Sequence, residues 1–520
     1  MAENQATDFS KRVLPNTVTN IICTVLMALF GLMLVPFYID RLGVAAYAVL
    51  PLATTITSYV LVVSDEISNA FSRYLVIAIH GDDQKEANKV FTTTLIGLGR
   101  AAIFIVPVVV LISFISPYAF QIGPSSATSV QIMFLLILLS ALLMSFSACF
   151  NSIYTAFNKR YIVNTIRIAY LLLQVFMIVG SFLIFGPRLE FIGLAYIVSS
   201  AVFFVLMWVT SKKLCPALKM ERHLHSKVLL KEMGGVGLWA VLNRVGLLLF
   251  IQASLILVNI FLGAEEQTRF AIVATLISMT NTACIIITTV IAPFLYLNFA
   301  KGNKINLIKI SKTSMRFIGL VIAFPIAYLC VFAPQILTVW VGESFSDMSN
   351  VITVMFSVQL AVCVVTVLET IPVLYLRIRS VAMVTLSVGA LNIIITAAVL
   401  ILSGLGTMGA AIVWTLAMLS LNVVLYPLII AKMTESAWTT FLRPLIPGHI
   451  ALVICAAVGF AVVQFFALPS TWLAVLGVFF VLYVIYLVIA LAIGLKREDK
   501  DLIRGGLPEM VTKIIPRWLI

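Results

Sequence analysis

Charged residues are scarce. Asp, Glu, Lys and Arg make up 11% of the 520 residues, against about 25% in an ordinary soluble domain. Hydrophobic residues reach 62% and the mean hydropathy is +1.13. A water-soluble fold of this composition has too little polar surface to cover its core, which excludes the soluble classes. Cysteine is thin as well: seven residues (23, 149, 215, 284, 330, 363 and 455) are scattered singly, six of them in apolar stretches. No CxxC pair and no Cys/His cluster of metal-ligand spacing occurs, so neither a disulfide framework nor a zinc site is expected. P-loop, GxGxxG-after-strand, HExxH and GxSxG patterns are missing too. The sequence therefore reads as a non-enzyme with no cofactor and no metal, and an ATP-driven pump would need its motor on another chain. Acidic residues are outnumbered, 21 against 34 Lys and Arg, for a net charge of +13. A basic balance invites a nucleic-acid reading, so the cations have to be located first.

Long apolar runs are what the sequence has in abundance. A helix crosses the hydrocarbon with about 20 apolar residues. That rule gives 14 candidate spans: 17–39, 44–64, 90–115, 128–156, 161–185, 190–211, 237–262, 268–297, 313–336, 350–376, 381–403, 407–431, 446–466 and 472–494. Barrel strands are about 10 residues and alternate in polarity, so length favours helices. Lys11-Arg12 before the run from Ile21, with Ala46-Tyr47-Ala48 beyond it, imitates a signal peptide; the run is too long for an h-region and reads as an uncleaved first span. The longest connections, 65–89 and 212–236, and the tail from Leu495 are too short for soluble domains. The two connections are charge-mixed and are expected to form short amphipathic cytoplasmic helices.

With the N-terminus inside, 27 of the 34 cations fall in cytoplasmic segments and only Arg41, Arg188 and Arg269 outside. That bias sets both termini in the cytoplasm and predicts a multi-pass protein of the cytoplasmic (inner) membrane. It also answers the nucleic-acid question: most of the charge is an orientation signal, and no nucleic-acid partner is expected.

Two halves echo each other. Leu42-Gly43 followed by Tyr47-Ala48 resembles Leu262-Gly263 followed by Phe270-Ala271, and Gly193 matches Gly409, with offsets of 220, 223 and 216 residues. Six spans per repeat makes the halves parallel, as in transporters that bind substrate near mid-membrane. The expected fold is an all-α polytopic membrane protein of about 14 transmembrane helices, two parallel six-helix repeats plus two C-terminal helices. The expected divisions are 1–225, an N-terminal six-helix lobe with a cytoplasmic linker; 226–440, a C-terminal six-helix lobe; and 441–520, two additional helices and a cytoplasmic tail. The last two spans pack laterally or form a lipid-facing groove for a long tail.

Four arginines remain inside spans: Arg100, Arg167, Arg244 and Arg316. A basic residue at a helix centre costs about 2.5–3.5 kcal/mol on insertion scales. Snorkelling to the headgroups relieves that penalty and suits Arg316, which lies near the interface. Arg244 follows Asn243, with Gln252 and Asn259 further along its span. Glu369, the acid set well inside an apolar run, is read either as a charge partner for an arginine or as a protonatable coupling group. Cationic side chains in a membrane cavity suit a phosphate or diphosphate headgroup, because guanidinium binds phosphate oxygens bidentately. The candidate substrate-binding set is Arg244, Arg100, Arg167, Asn243, Gln252 and Asn259.

Several short patterns resemble the polysaccharide-transporter branch of the multidrug/oligosaccharidyl-lipid/polysaccharide (MOP) exporter superfamily. These are Arg41-Leu42-Gly43 with Tyr47, Arg73-Tyr74 with Gly81-Asp82 and Asn88, and Gly406-Thr407-Met408-Gly409-Ala410-Ala411. The resemblance covers most of residues 10–435. The chain departs from it at Asp65-Glu66-Ile67, where relatives often have glycine, and at Asn259, where an acid is expected. It implies a flippase that carries a polyprenyl-diphosphate-linked oligosaccharide across the membrane by alternating access, for surface polysaccharide biosynthesis. Membrane lipid, the lipid-linked glycan, a polysaccharide polymerase and glycosyltransferases are the implied partners. Two rivals stand beside it, a cation-coupled multidrug exporter and a peptidoglycan lipid-precursor flippase. A membrane-embedded glycosyltransferase or polymerase would need a catalytic acid or a large outer loop, and neither is evident.

Overall fold

The computed structural model describes residues 2–81, 83–465, 471–495 and 498–500. Asp82 of the Gly81-Asp82 pattern and most basic residues of the tail lie outside the described residues. Among those described, no strand occurs and 14 helices are long and apolar enough to cross a membrane. Numbered by span, these are α1 (Val18–Leu42), α2 (Val44–Val62), α3 (Gln84–Ala119), α4 (Ala127–Ala156), α5 (Arg160–Phe185), α6 (Leu189–Leu214) and α7 (Leu238–Leu262). The second set is α8 (Ala264–Ala300), α9 (Lys304–Val331), α10 (Glu343–Leu374), α11 (Ile378–Leu402), α12 (Gly406–Met433), α13 (Leu445–Phe465) and α14 (Trp472–Leu491). In hydrocarbon only a helix satisfies its own backbone groups, and each apolar run becomes one.

The charge-mixed connections are not separate amphipathic helices. The helix of α2 continues to His80 and α3 begins at Gln84, which leaves a short turn. The helix of α7 likewise starts at Lys227, after a single 3-10 turn at Arg222–Leu224. Hydropathy ends at the first charge, but helical hydrogen bonding continues into water where the residues are good helix formers.

Five turns repeat between spans 1–6 and spans 7–12. Positive φ occurs at Gly43 and Gly263, Gly123 and Gly342, Asn158 and Leu376, and Gly186 and Gly404, pairs separated by 218–220 residues. The fifth pair is Asp83 and Asn303, helix N-caps whose side chains accept from the backbone N–H of Glu86 and Asn306. Their hydrogen bonds match as well. Gly43 donates to Ile39 O at 2.9 Å and Gly263 to Asn259 O at 3.0 Å; Lys159 donates to Tyr154 O at 2.8 Å and Arg377 to Pro372 O at 2.9 Å. The structure corrects one pairing. Tyr47 and Gln267 bond back to Gly43 and Gly263 in the same way, so Tyr47 corresponds to Gln267 rather than to Phe270.

Contacts divide the chain into two units, Met1–Ala271 and Ile272–Ile520. The expected boundary at 225/226 falls inside the first unit because α7 is tied to its spans. Gln252 accepts from Thr55 Oγ1 at 2.7 Å, and Asn259 holds both backbone groups of Gln121 at 2.9 and 3.1 Å. A core at the basic end of this unit gathers Phe71, Phe91, Phe150, Tyr154, Phe203 and Met207. In the second unit α13 and α14 dock on α9 and are otherwise largely exposed. A Cβ on Gly448 would sit 2.9 Å from the Gly319 backbone, so only glycine permits that crossing. Phe324, Tyr328, Phe479 and Tyr483 form an aromatic seam, and Tyr328 and Tyr486 donate to Val475 O and Leu320 O at 2.7 Å.

Candidate functional site

Three of the four in-span arginines belong to the first unit, on α3, α5 and α7. Their depths follow from helix pairing. At the basic end, α3 runs beside the linker and the start of the α7 helix. Thr92 and Thr93 hydroxyls accept from Glu221 N and Ser226 N at 2.9 and 3.1 Å, Asn88 Oδ1 accepts from Lys219 N at 3.0 Å, and Gly97 lies against Leu230. At the opposite end Gln121, just beyond α3, meets Asn259. The two helices therefore climb side by side. Arg100 is three residues past Gly97 and Arg244 is fourteen past Leu230, so Arg244 lies about 15 Å further along. The two arginines occupy successive levels.

Arg100 is exposed, and its Nη1 lies 3.0 Å from His225 Nε2. Arginine can only donate, so this ring nitrogen accepts; the other, Nδ1, is buried without a partner. Arg167 is half-buried on α5, which is stitched to α1. Asn16 Nδ2 donates to Asn158 Oδ1 at 2.8 Å, Asn16 Oδ1 accepts from Tyr161 N at 2.8 Å, and Asn164 donates to Thr19 at 3.2 Å. That register puts Arg167 level with Cys23 and about 10 Å above Arg160. Arg244 is exposed, and beside it the half-buried Asn243 has a buried Oδ1 with no partner. An amide oxygen in that state is an acceptor awaiting a donor.

Gln252 and Asn259 are engaged differently. Both bind backbone or side chains of neighbouring elements, and Asn259 is fully buried with both amide ends occupied. They fix α7 in the unit and lie on the far side of Arg244 from Arg100.

In the second unit, Arg316 does not snorkel. Its Nη1 bonds Asp499 Oδ2 at 2.5 Å, and Thr313 donates to the other carboxylate oxygen. Asp499 is buried and Arg316 partly so, with side-chain exposures of 4% and 15%. Asp499 was not legible as a partner: it stands in a basic tail 183 residues away. An acidic pair, Glu498-Asp499, inside that basic run is the one signal that could have found it. Glu369 lies in the same unit on a 3-10 turn, Thr366–Glu369, within α10. Pro372 lacks the N–H that would bond Leu368 O, and the helix tightens there. At the start of that turn the Thr366 and Thr288 hydroxyls are 3.2 Å apart, and further back along α10 Gln359 donates to Asn281 at 2.7 Å. Among the described residues no group of three or more His, Cys, Asp or Glu side chains is arranged to hold a metal ion.

No protein-family model matches the chain. It is 23% identical over 497 residues to the uncharacterized membrane protein EpsK of Bacillus subtilis (strain 168), covering 94% of this chain and 96% of that one. Among solved structures it resembles an inward-facing multidrug resistance MATE family transporter of the MOP superfamily. That match has TM-score 0.63 and 12% identity, over 81% of this chain and 99% of that one. A MOP superfamily transporter from Pyrococcus furiosus, described as having a binding pocket of reversed polarity, matches with TM-score 0.58 and 13% identity, over 86% and 96%. The chain has the MOP-superfamily fold.

Proposed function

We propose that this chain is a flippase that moves a polyprenyl-diphosphate-linked oligosaccharide across the cytoplasmic membrane by alternating access, for surface polysaccharide biosynthesis. One observation supports the reading: Arg100 and Arg244 lie at successive levels on paired helices of the first unit, with Arg167 on a third helix of that unit. An anionic headgroup meets a guanidinium at each level and does not face bare hydrocarbon. Arg100 takes the diphosphate near the basic end and Arg244 receives it about 15 Å further in. Asn243 Oδ1 accepts from a sugar hydroxyl beside Arg244. Glu369 serves the second unit as the charge partner or proton carrier of the cycle. Both termini face the cytoplasm, as the loop cations direct, and polymerase and glycosyltransferases act on the same glycan.

The test is complementation in a host deleted for the gene. Replacing Arg244 and Arg100 together by Ala abolishes surface polysaccharide at unchanged protein level; normal polymer would overturn the reading. The multidrug alternative draws on the fold shared with multidrug transporters. It predicts altered drug susceptibility on deletion with surface glycan unchanged. Loss of cell-wall synthesis on deletion is the mark of a peptidoglycan-precursor flippase instead.

A further inference from the structure

A second polar site lies in the first unit, at the end of its spans away from the basic clusters. An open cavity of about 430 Å³ is bounded by the last turn of α1, the loop before α4 and the loop before α6. Its volume falls within the range of small-molecule pockets, about 300–1,000 Å³. The lining mixes both charges with hydroxyls: Arg41, Arg188, Glu190, Ser125, Ser126 and Ser129.

The sequence dictates this gathering. Gly43 ends α1 immediately after Arg41-Leu42. Pro124 and Pro187 shape the two loops, and each loop delivers a helix N-terminus to the cavity. Ser126 caps α4, accepting from Ser129 N at 3.1 Å, and donates to the Ser129 hydroxyl at 2.8 Å. Ser129 in turn donates to Glu190 Oε1. That relay orients the carboxylate and uses one of its oxygens. The other oxygen, Oε2, is buried without a hydrogen-bond partner, and so is Ser125 Oγ. A buried carboxylate oxygen with no donor is costly. Arg188, at the start of α6, is exposed; Arg41 is half-exposed, 3.5 Å from Asp40.

The unmet groups define a ligand. Glu190 Oε2 calls for a donor and repels a bare anion, so a simple phosphate is a poor occupant. Two guanidiniums and two helix N-termini call for negative charge. A molecule with a carboxylate at one end and hydroxyls at the other satisfies both. We propose that this cavity binds a hydroxyl-bearing carboxylate of sugar-acid chemistry, its acid group against Arg41 and Arg188, and its hydroxyls meeting Glu190 Oε2 and Ser125 Oγ as those two side chains turn from their buried positions into the cavity. The site is independent of the arginines on α3, α5 and α7, and it stands whether or not the chain carries a lipid-linked glycan.

The ligand's source is either a free sugar acid or an acidic residue of a glycan chain, and two probes separate them. The full chain in lipid nanodiscs is titrated with D-glucuronate and with trigalacturonate, using saturation-transfer NMR. Saturable binding of glucuronate assigns the site to the free acid; binding of trigalacturonate alone assigns it to a chain. In either case Arg188→Ala weakens binding about tenfold or more, the loss expected for one charge-assisted hydrogen bond. Arg188→Lys retains part of it, and an unchanged thermal midpoint shows that the variants are folded. D-glucose and inorganic phosphate bind at least about tenfold more weakly by the same argument. The proposal is overturned if neither acid binds the folded chain at millimolar concentration, if Arg188→Ala binds as wild type does, or if phosphate binds as tightly as the acids.

Discussion

The two units of the chain differ in how they carry charge, although spans 1–6 and 7–12 repeat one set of turns. All five of their internal turns recur at a spacing of 218–220 residues, four of them in a positive-φ residue and the fifth in a helix N-cap. Yet the first unit carries Arg100, Arg167 and Arg244 along its spans. The second carries Arg316, closed off by Asp499, and Glu369, an acid well inside an apolar run. Spans built on the same turns thus carry the exposed Arg100 and Arg244 in the first unit and a carboxylate-paired arginine, Arg316, in the second. Turn geometry fixes the frame, and the charges can vary on it without disturbing the turns.

Arg316 and Arg244 put that contrast to its strongest test. Arg316→Ala strands Asp499, whose side chain is 4% exposed, and is expected to cost about 3–5 kcal/mol, read as a large fall in thermal midpoint. Arg244→Ala, at an exposed position, should cost no more than about 1 kcal/mol. Equal losses at the two sites would erase the distinction.

A second pair of substitutions sharpens the shared frame. Gly43 and Gly263 have φ of 84° and 101° with extended ψ, a region essentially reserved for glycine. Replacing either by Ala should cost about 1–3 kcal/mol. Unequal penalties, one near zero, would deny that the turns are equivalent. Asn88→Ala should cost about 1–2 kcal/mol, from loss of its bonds to Lys219 N and Glu221, and raise amide exchange over 217–226. Unchanged exchange there would mean that α3 does not hold the linker.

The smallest effect belongs to Glu435, in the loop after α12. Its carboxyl is held below its ordinary value by the hydrogen bond and charge of Lys304, 2.6 Å away, with Arg377 adding to the field. A depressed carboxylate stabilises the fold above its unfolded pKa and loses that contribution as pH falls through the folded value. Glu435→Gln should therefore lower the thermal midpoint slightly at pH 7 and low salt. The difference should vanish in strong acid or high salt.

Every span was legible, because each is an apolar run long enough for hydrocarbon, and the shared fold with MOP-superfamily structures agrees with that reading. The turns were legible only in part. Gly43 and Gly263 match by residue type, whereas Asn158 and Leu376 adopt one backbone conformation with unrelated side chains, which no sequence comparison reveals. Tyr47-Ala48 reads as the counterpart of Phe270-Ala271 in sequence, whereas hydrogen bonding pairs Tyr47 with Gln267. Long-range partners were the least legible. Arg316 reads as a snorkelling cation until Asp499 folds back onto it. Gln252 and Asn259 read as cavity polar groups until Thr55 and the Gln121 backbone claim them. Polar residues in spans announce that they need a partner; sequence spacing alone does not say which.

The central claim is that the stepped arginines of the first unit hold a diphosphate headgroup. The most direct measurement is the affinity of the full chain, in nanodiscs, for a polyprenyl diphosphate, compared between wild type and the Arg244→Ala/Arg100→Ala variant. A loss of about tenfold or more is predicted, since each guanidinium contributes charge-assisted bonds of about 1.5–3 kcal/mol. Undiminished affinity in the folded variant would contradict it.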